Sequence, residues 1–335
     1  MDTTIHIRCP GSCGEFLQGW MDGSEKLISY AIDCHSLVTL QPEPSQDHHA
    51  VFRYRHPRAW AMACQVTRRM NVNQKALFPI SLSLTSNLPR AKGMASSTAD
   101  LAATAGAVAA WIGTQMTPRE IAELCVELEP TDSVMYPDLV LMDPLTGEVS
   151  RQLGPHPNMW VLVLEGIEAV ETKNFRKKNH AVRRKAGRRE MERALALFLR
   201  GLETGDMEAL GAACFISAVE NQIFYPFPGL EELNRLARKR GAYGINIAHS
   251  GTTAGVLFDP GLFNMEGFWS DWHRQPAASR FFPPRIHRMI PGGIDGNPET
   301  GGQTRTSGKE RQDSWSGNSL SLDRKSKHRY NKGDG

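Results

Sequence analysis

The sequence predicts an α+β protein of two domains followed by a disordered tail. Strand and helix patterns are mixed in each half, which favours α+β over a regularly alternating parallel sheet. A chain of 335 residues is long enough for about two ordinary domains. After Gly293 aliphatic residues almost disappear, and such a segment cannot bury enough surface to offset its ordering entropy. We therefore expect domains at residues 1–150 and 151–294 and a tail at 295–335.

Strands in the first half are indicated by alternating apolar and polar residues. The first such pattern, Thr4–Arg8, ends before Pro10 and Gly11 and leads into a loop. Further strands are predicted at residues 36–41, 50–54 and 80–85.

Three helices are predicted in the first half. Residues 58–70 have helical spacing, and residues 100–112 are apolar on nearly every face, so that helix must be buried. Thr117 is expected to cap a third helix that has Pro118 in its first turn and runs to about Glu127.

The second half begins with the apolar strand pattern of residues 159–164. Helices are predicted up to Glu203, at 207–221 and at 230–240, and two strands at 243–248 and 255–258 are joined by a glycine-rich turn.

Composition excludes several classes of protein. No apolar run approaches the roughly 18 residues of a membrane span, and the N-terminus lacks a signal-peptide pattern, so we expect a cytoplasmic protein without a membrane partner. The 6 cysteines have no C-x-x-C spacing and are expected to be free thiols. A net charge of +3 is too small to favour nucleic acid as a partner.

One region, residues 173–190, is strongly basic. A solvated helix face explains most such runs. An electropositive rim that attracts a nucleotide is the favoured functional alternative over an RNA site, because no aromatic residues alternate with the basic ones.

The run Pro89–Asp100 joins a glycine-and-serine turn directly to an alanine-rich helix. Small residues let an anion approach the backbone, and hydroxyls and free N–H groups at a helix start favour phosphate. The alternative is that Ser97 and Asp100 form a capping box that only starts the helix. The signatures G-x-x-x-x-G-K-[ST] and G-x-G-x-x-G are absent, so any phosphate is bound by another architecture.

Three motifs together resemble those of the GHMP kinases. Pro89-x-x-x-Gly93-Met94-x-Ser96-Ser97-Thr98 is similar to their phosphate loop, residues 10–19 lie where they carry the first motif, and residues 246–255 lie where they carry the glycine-rich third. The residues of the three motifs are most similar to those of the L-threonine kinases of cobalamin biosynthesis. The resemblance implies a two-domain fold with ATP in the interdomain cleft.

The resemblance also implies which residues bind the nucleotide. They are Pro89, Arg90, Ala91, Lys92, Gly93, Met94, Ala95, Ser96, Ser97, Thr98, Ser250, Gly251 and Thr252. Lys92 either contacts a phosphate or is exposed in the loop. The sequence of the third motif departs from the usual family pattern, and the alternative for this segment is a glycine-rich hairpin that binds no ligand.

A kinase of this type needs Mg²⁺, which prefers oxygen ligands and retains waters. The resemblance implies a serine of the phosphate loop and a glutamate from a later helix. Ser97 is favoured over Ser96, and Glu129 is favoured slightly over Glu127. Asp132 matches the aspartate that aligns or deprotonates the acceptor hydroxyl, and otherwise caps a turn.

An amino-acid substrate carries an ammonium and a carboxylate group. Glu15 is expected to bind the ammonium, while Ser12, the backbone of Gly14 and Gln18 are expected to bind the carboxylate.

The expected reaction is ATP-dependent phosphorylation of L-threonine. The alternatives are a kinase for homoserine or another small hydroxylated metabolite, and a non-catalytic nucleotide-binding regulator. The oligomeric state is left open.

Overall fold

Strands of the described residues form three sheets in which neighbouring strands are antiparallel. A computed structural model describes residues 4–42, 47–77, 80–168, 185–224, 226–248, 252–296 and 298–299. The strands are β1 Thr4–Pro10, β2 Glu15–Met21, β3 Ser24–Ser29, β4 Ala31–Ile32, β5 His35–Pro42, β6 Ile80–Ser86, β7 Leu139–Met142, β8 Val149–Gly154, β9 Trp160–Glu165, β10 Gly244–Ile247, β11 Thr253–Phe258, β12 Arg285–Ile290 and β13 Pro298–Glu299. Their orders are β13-β1-β5-β6, β2-β3-β7-β8 and β10-β11-β9-β12-β4.

The helices of the described residues pack on these sheets. They are α1 Asp47–Arg55, α2 Pro57–Arg69, α3 Ser96–Ile112, α4 Pro118–Leu128, α5 Arg188–Thr204, α6 Met207–Glu220, α7 Leu230–Lys239 and α8 Met265–His273. None of them is both long and apolar enough to cross a bilayer. The predicted α+β class is confirmed.

Helix ends follow the sequence signals. The Thr117 side chain accepts a hydrogen bond from the Glu120 N–H, and the Glu120 carboxylate accepts one from the Thr117 N–H, as a capping box requires. Gly113 ends α3 in the left-handed conformation. The Asp206 side chain caps α6 by accepting from the Ala209 N–H.

The five-stranded sheet separates two hydrophobic cores. Val161 and Val163 of β9 point into the larger core, whereas Leu162 and Leu164 point into the smaller one with α7 and α8. Alternation along the strand therefore covers both faces of this sheet, which is why residues 159–164 are continuously apolar.

The predicted strand at 50–54 is wrong, because these residues belong to α1. Val51 and Tyr54 have strand propensity, but both side chains are exposed, and Phe52 alone among these apolar residues is buried. The Phe52 ring lies 5.1 Å from the His56 ring, a contact between residues four apart that suits a helix.

The alternative of a capping box formed by Ser97 and Asp100 is wrong, and α3 begins earlier than predicted. The N-cap is Ala95, five residues before the predicted start at 100, and it makes no side-chain cap bond. Asp100 instead accepts a 2.5 Å hydrogen bond from the Ser36 hydroxyl on β5. The Asp100 carboxylate thus binds Ser36, which is distant in sequence, and does not cap the helix.

Strand pairing crosses the predicted boundaries. β4 of the first half pairs with β12 of the second half, and β13 of the predicted tail pairs with β1. The expected start of the tail at 295 is therefore too early: Asp295 exchanges two backbone hydrogen bonds with Arg8, and their side chains form a 2.7 Å ion pair. The rest of the predicted tail from 300 onwards, and residues 173–184 of the basic region, lie outside the described residues.

Candidate active site

A cavity of about 490 Å³ collects most of the predicted site residues. Its walls come from three segments, which are residues 55–59 before and within α2, 90–101 of the phosphate loop and α3, and 129–132 after α4. These segments are far apart in sequence, and the packing of α2 and α4 beside α3 brings them together.

The phosphate loop turns sharply before it enters α3. Ala91, Gly93 and Ala95 have φ values of 58°, 76° and 53°, which is the left-handed region. Two of these positions are alanine, so the turn costs backbone strain that glycine would avoid. The result is that the first turn of α3, with Ser96 and Ser97, faces the cavity and offers free N–H groups and the positive end of the helix dipole.

Cationic side chains add to this potential. Arg55, Arg58 and Arg90 all line the cavity. Arg90 was predicted, whereas Arg55 and Arg58 were missed. Their clustering around Pro57 was visible in the sequence, but nothing local indicates that this segment lies beside the phosphate loop.

Ser97 and Glu129, the residues predicted to hold the metal, lie close to one guanidinium. Arg58 Nη1 donates to Ser97 Oγ over 3.3 Å and lies 2.6 Å from Glu129 Oε2. Glu129 ends α4 with an extended backbone that directs the chain back toward the cavity. Glu127, the alternative, accepts a 2.9 Å hydrogen bond from Gln65 and is not part of the cavity wall.

The donor set suits magnesium. One hydroxyl and one carboxylate that reach the same cation are oxygen ligands, and Mg²⁺ completes its shell with water and phosphate. Within the described ranges, no group of three or more His, Cys, Asp or Glu is placed to hold a metal ion. A metal at this site would therefore complete its shell with water molecules and with the phosphates of a nucleotide.

Asp132 lies at the cavity wall beside Thr98 and Glu15. Thr98 Oγ1 donates a hydrogen bond to Asp132 Oδ2 over 3.3 Å. The same oxygen accepts a hydrogen bond from the Asp132 N–H, also over 3.3 Å. The Asp132 carboxyl also hydrogen bonds with the carboxyl of Glu15, which is buried at the start of β2. Burial and the Glu15 charge raise the pKa of Asp132 well above its usual range, and the Thr98 bond opposes this. The raised pKa favours the protonated form of Asp132, which can donate the hydrogen bond to Glu15.

The first motif lies between the other two motifs. The Ser12 N–H donates to the Met94 carbonyl of the phosphate loop over 3.2 Å. Gly14 has φ +70°, and a Cβ there would lie 2.7 Å from the backbone of Ala248. Gly14 is thus required for close backbone approach to the segment after β10.

The residues predicted to bind the substrate carboxylate, Ser12, Gly14 and Gln18, do not all lie beside the main cavity. The Ser12 side chain is fully buried, and its Oγ has no hydrogen-bond partner among the described residues. Gln18 does not join the main cavity. Its N–H donates to Ser217 Oγ, and the residue lines a separate cavity of about 20 Å³ with Met191 and Asn221.

Lys92 is neither exposed nor part of the cavity wall. It is buried, and its Nζ donates to the carbonyl oxygens of Gly166, Ile167 and Glu168 over 2.5, 3.1 and 2.8 Å. Thr252 Oγ1 donates to the same Glu168 oxygen over 2.8 Å. Both side chains therefore hold the chain that follows β9.

Pro89, another predicted nucleotide ligand, is not among the residues that line the cavity. Ser250 and Gly251 lie outside the described residues. The prediction of free thiols is confirmed for all cysteines, namely Cys9, Cys13, Cys34, Cys64, Cys125 and Cys214.

Family comparisons agree with this arrangement. A family model described as GHMP kinases N terminal domain matches residues 58–135, and one described as GHMP kinases C terminal matches residues 198–262. The first match runs from Arg58 through the phosphate loop to beyond Asp132, so it covers the cavity walls except residues 55–57.

Two curated relatives span nearly the same length. An L-threonine kinase of Citrobacter freundii is 33% identical over 293 residues, which are 86% of this chain and 98% of the relative. An L-threonine kinase of Salmonella typhimurium is 34% identical over 293 residues, which are 88% and 96% of the two chains.

Solved structures share the fold at low identity. A homoserine kinase from Cytophaga hutchinsonii has a TM-score of 0.59 at 16% identity, covering 88% of this chain and 97% of its own. A complex with AMPPCP and magnesium has a TM-score of 0.63 at 15% identity, covering 89% and 100%.

Proposed function

The chain belongs to the GHMP kinases, and on that premise we propose that it transfers the terminal phosphoryl group of ATP to the hydroxyl of L-threonine. The products are O-phospho-L-threonine and ADP. The observation that carries the proposal is one cavity that joins a phosphate loop, a hydroxyl–carboxylate pair suited to magnesium, and Asp132, whose carboxyl hydrogen bonds with that of Glu15 behind the wall.

The choice of threonine rests on the curated relatives. Both are L-threonine kinases, and each aligns over most of both chains at 33% or 34% identity. The homoserine kinase is 16% identical, a likeness that concerns the fold alone. The Asp132–Glu15 pair supports an amino-acid acceptor, because two neighbouring carboxyls form a strong site for an ammonium group.

The phosphate loop and the cavity arginines hold the polyphosphate. The first turn of α3 donates N–H groups, and Ser96, Arg55 and Arg90 surround the same space. Ser97 and Glu129 would hold Mg²⁺, which when bound neutralises phosphate charge.

Asp132 positions the acceptor hydroxyl and accepts its proton. An ammonium group beside Glu15 offsets the negative charge of that carboxylate, which lowers the raised pKa of Asp132 and favours its ionised form. The threonine oxygen then bonds to the terminal phosphorus, the bond from that phosphorus to the bridging oxygen of ADP breaks, and Asp132 takes the hydroxyl proton. The substrate itself thus helps to prepare the base.

The setting of the reaction is part of the same proposal. O-phospho-L-threonine would supply the aminopropanol linker of cobalamin, as the resemblance implies, and a cytoplasmic location would give access to ATP.

The test is ATP consumption by the purified protein with magnesium, presenting L-threonine, L-serine and L-homoserine in parallel. Mass spectrometry identifies the phosphorylated product. Preferred turnover of L-threonine is expected. Preferred turnover of L-homoserine would replace the acceptor, and ATP binding without turnover of any acceptor would favour the non-catalytic regulator.

A further inference from the structure

Arg58 occupies a position that the assigned roles of its neighbours do not explain. It lies in the first turn of α2, and one guanidinium nitrogen contacts both Ser97 Oγ, at 3.3 Å, and Glu129 Oε2, at 2.6 Å. These are the two oxygens assigned to the metal. The Arg58 side chain is 55% exposed, whereas that of Glu129 is 18% exposed. The Arg58 guanidinium therefore reaches this contact from the solvent side, whereas Glu129 is largely buried in the cavity wall.

A guanidinium and a metal ion cannot both occupy the space between these oxygens. Whichever cation binds there excludes the other, so metal binding must release Arg58 from at least one partner. The α2 backbone keeps the released side chain at the cavity wall.

Other carboxyls of the cavity offer Arg58 little. Asp100 is bound by the Ser36 hydroxyl at 2.5 Å, and Asp132 is bound by Glu15 and Thr98. A phosphate beside Ser97 would be the strongest remaining acceptor, and the planar guanidinium fork matches phosphate geometry.

We propose that Arg58 is a movable cation of the phosphate site, whose guanidinium exchanges Glu129 and Ser97 for the terminal phosphate of a bound nucleoside triphosphate. This inference rests on the proposed binding of ATP in this cavity, but not on the identity of the acceptor. It gives the site a cation that contacts the triphosphate and not the diphosphate, so Arg58 stabilises the charge of the group being transferred.

The test is calorimetric binding of a non-hydrolysable ATP analogue and of ADP, each with magnesium. Arg58→Met should weaken binding of the analogue by about tenfold to a hundredfold, the range of a hydrogen bond to a charged group, and should leave ADP binding nearly unchanged. Arg58→Lys should recover part of the loss, because it keeps the charge without the fork.

Arg68→Met is the matched control. It removes the same charge from an exposed position in the last turn of the same helix, about 15 Å away along the axis. It should bind both nucleotides as the parent protein does.

A second readout needs no nucleotide. Free Mn²⁺, measured by its electron paramagnetic resonance signal, should bind Arg58→Met up to about fivefold more tightly than the parent, because an exposed ion pair no longer competes. The double variant with Glu129→Gln should lose that gain.

Equal weakening of the analogue and ADP, or no weakening of either, overturns the proposal, as does unchanged Mn²⁺ affinity in Arg58→Met. A parent protein that phosphorylates no amino acid but loses its preference for the triphosphate analogue on Arg58→Met would refute the proposed function and support this inference. The two failures are therefore distinguishable.

Discussion

Replacement of Lys92 by methionine tests whether this loop lysine holds the fold or binds the nucleotide. In the structure its ammonium is buried and donates to three successive carbonyl oxygens after β9. The contact joins the phosphate loop to a segment more than seventy residues later in the chain. Methionine keeps the length of the side chain and removes the donors.

The expected loss is about 2–3 kcal/mol of unfolding free energy. A hydrogen bond from a charged donor contributes about 1.5–3 kcal/mol, and the Glu168 oxygen keeps the Thr252 hydroxyl as a donor. Two carbonyls, those of Gly166 and Ile167, lose Lys92 without that replacement. Because the variant no longer buries an ammonium, the net loss is smaller than the sum of the broken bonds.

Equilibrium denaturation in urea measures this loss, with Lys75→Met as control. Lys75 is exposed, so its replacement should change stability by less than about 0.5 kcal/mol. Affinity for the ATP analogue is then measured well below the unfolding transition, where Lys92→Met should bind nearly as the parent does.

A stability equal to that of the parent would refute the reasoning about the carbonyl contacts. A stable Lys92→Met variant that loses affinity for the analogue would show instead that the ammonium reaches a phosphate.

Three further predictions concern the cavity. Asp132→Asn should lower kcat for the preferred acceptor by about a hundredfold to ten-thousandfold with little change in analogue affinity, and kinetics that leave kcat within a factor of a few would exclude Asp132 as the proton acceptor. Because burial and Glu15 raise the pKa of Asp132, kcat/KM should fall as pH drops through that raised pKa. Glu15→Gln should move this acidic fall in kcat/KM to lower pH and should raise KM for threonine. An unchanged pH profile in Glu15→Gln would argue against the effect of Glu15 on the pKa of Asp132. Glu129→Gln should raise the magnesium concentration needed for half-maximal activity, whereas Glu127→Gln, which changes a residue bound to Gln65, should not; the reverse result would transfer the metal role to Glu127.

The raised pKa of Asp132 also affects stability. A carboxyl with a higher pKa in the folded state binds more protons there than when unfolded, so its contribution is present at low pH and is lost as pH rises through the folded value. The parent protein should therefore lose more stability than Asp132→Asn over that window.

Local signals in the sequence were sufficient for much of the fold. Strand β1, helix α2 and the capped helix α4 were predicted close to their observed bounds. The signals used were the spacing of apolar residues, a proline and a threonine cap, and each of them acts on residues within about one turn of the chain. Strands β2, β3, β7, β8 and β12 and helix α8 were not predicted. Strand β8 has no buried residue, so its sequence lacks the alternation of apolar and polar residues that distinguishes a strand from a loop.

For the site, the sequence by itself determined the residue types and their order along the chain. A glycine-and-serine turn before an alanine-rich helix favours phosphate binding by the backbone, since small residues and helix N–H groups act locally. Glu129 and Asp132 follow a helix that Pro130 must end, so their approximate position was also local information.

Only the tertiary structure decided which of these side chains meet. Arg58 and Glu129, Asp132 and Glu15, and Lys92 and the carbonyls after β9 are pairs separated by long stretches of chain. Their contacts depend on how the sheets and helices pack, and the free energy of a buried charge depends on the partner that it finds there. That dependence is why Lys92 binds the carbonyls after β9, Gln18 faces another cavity, and the pKa of Asp132 is raised beside a second carboxyl.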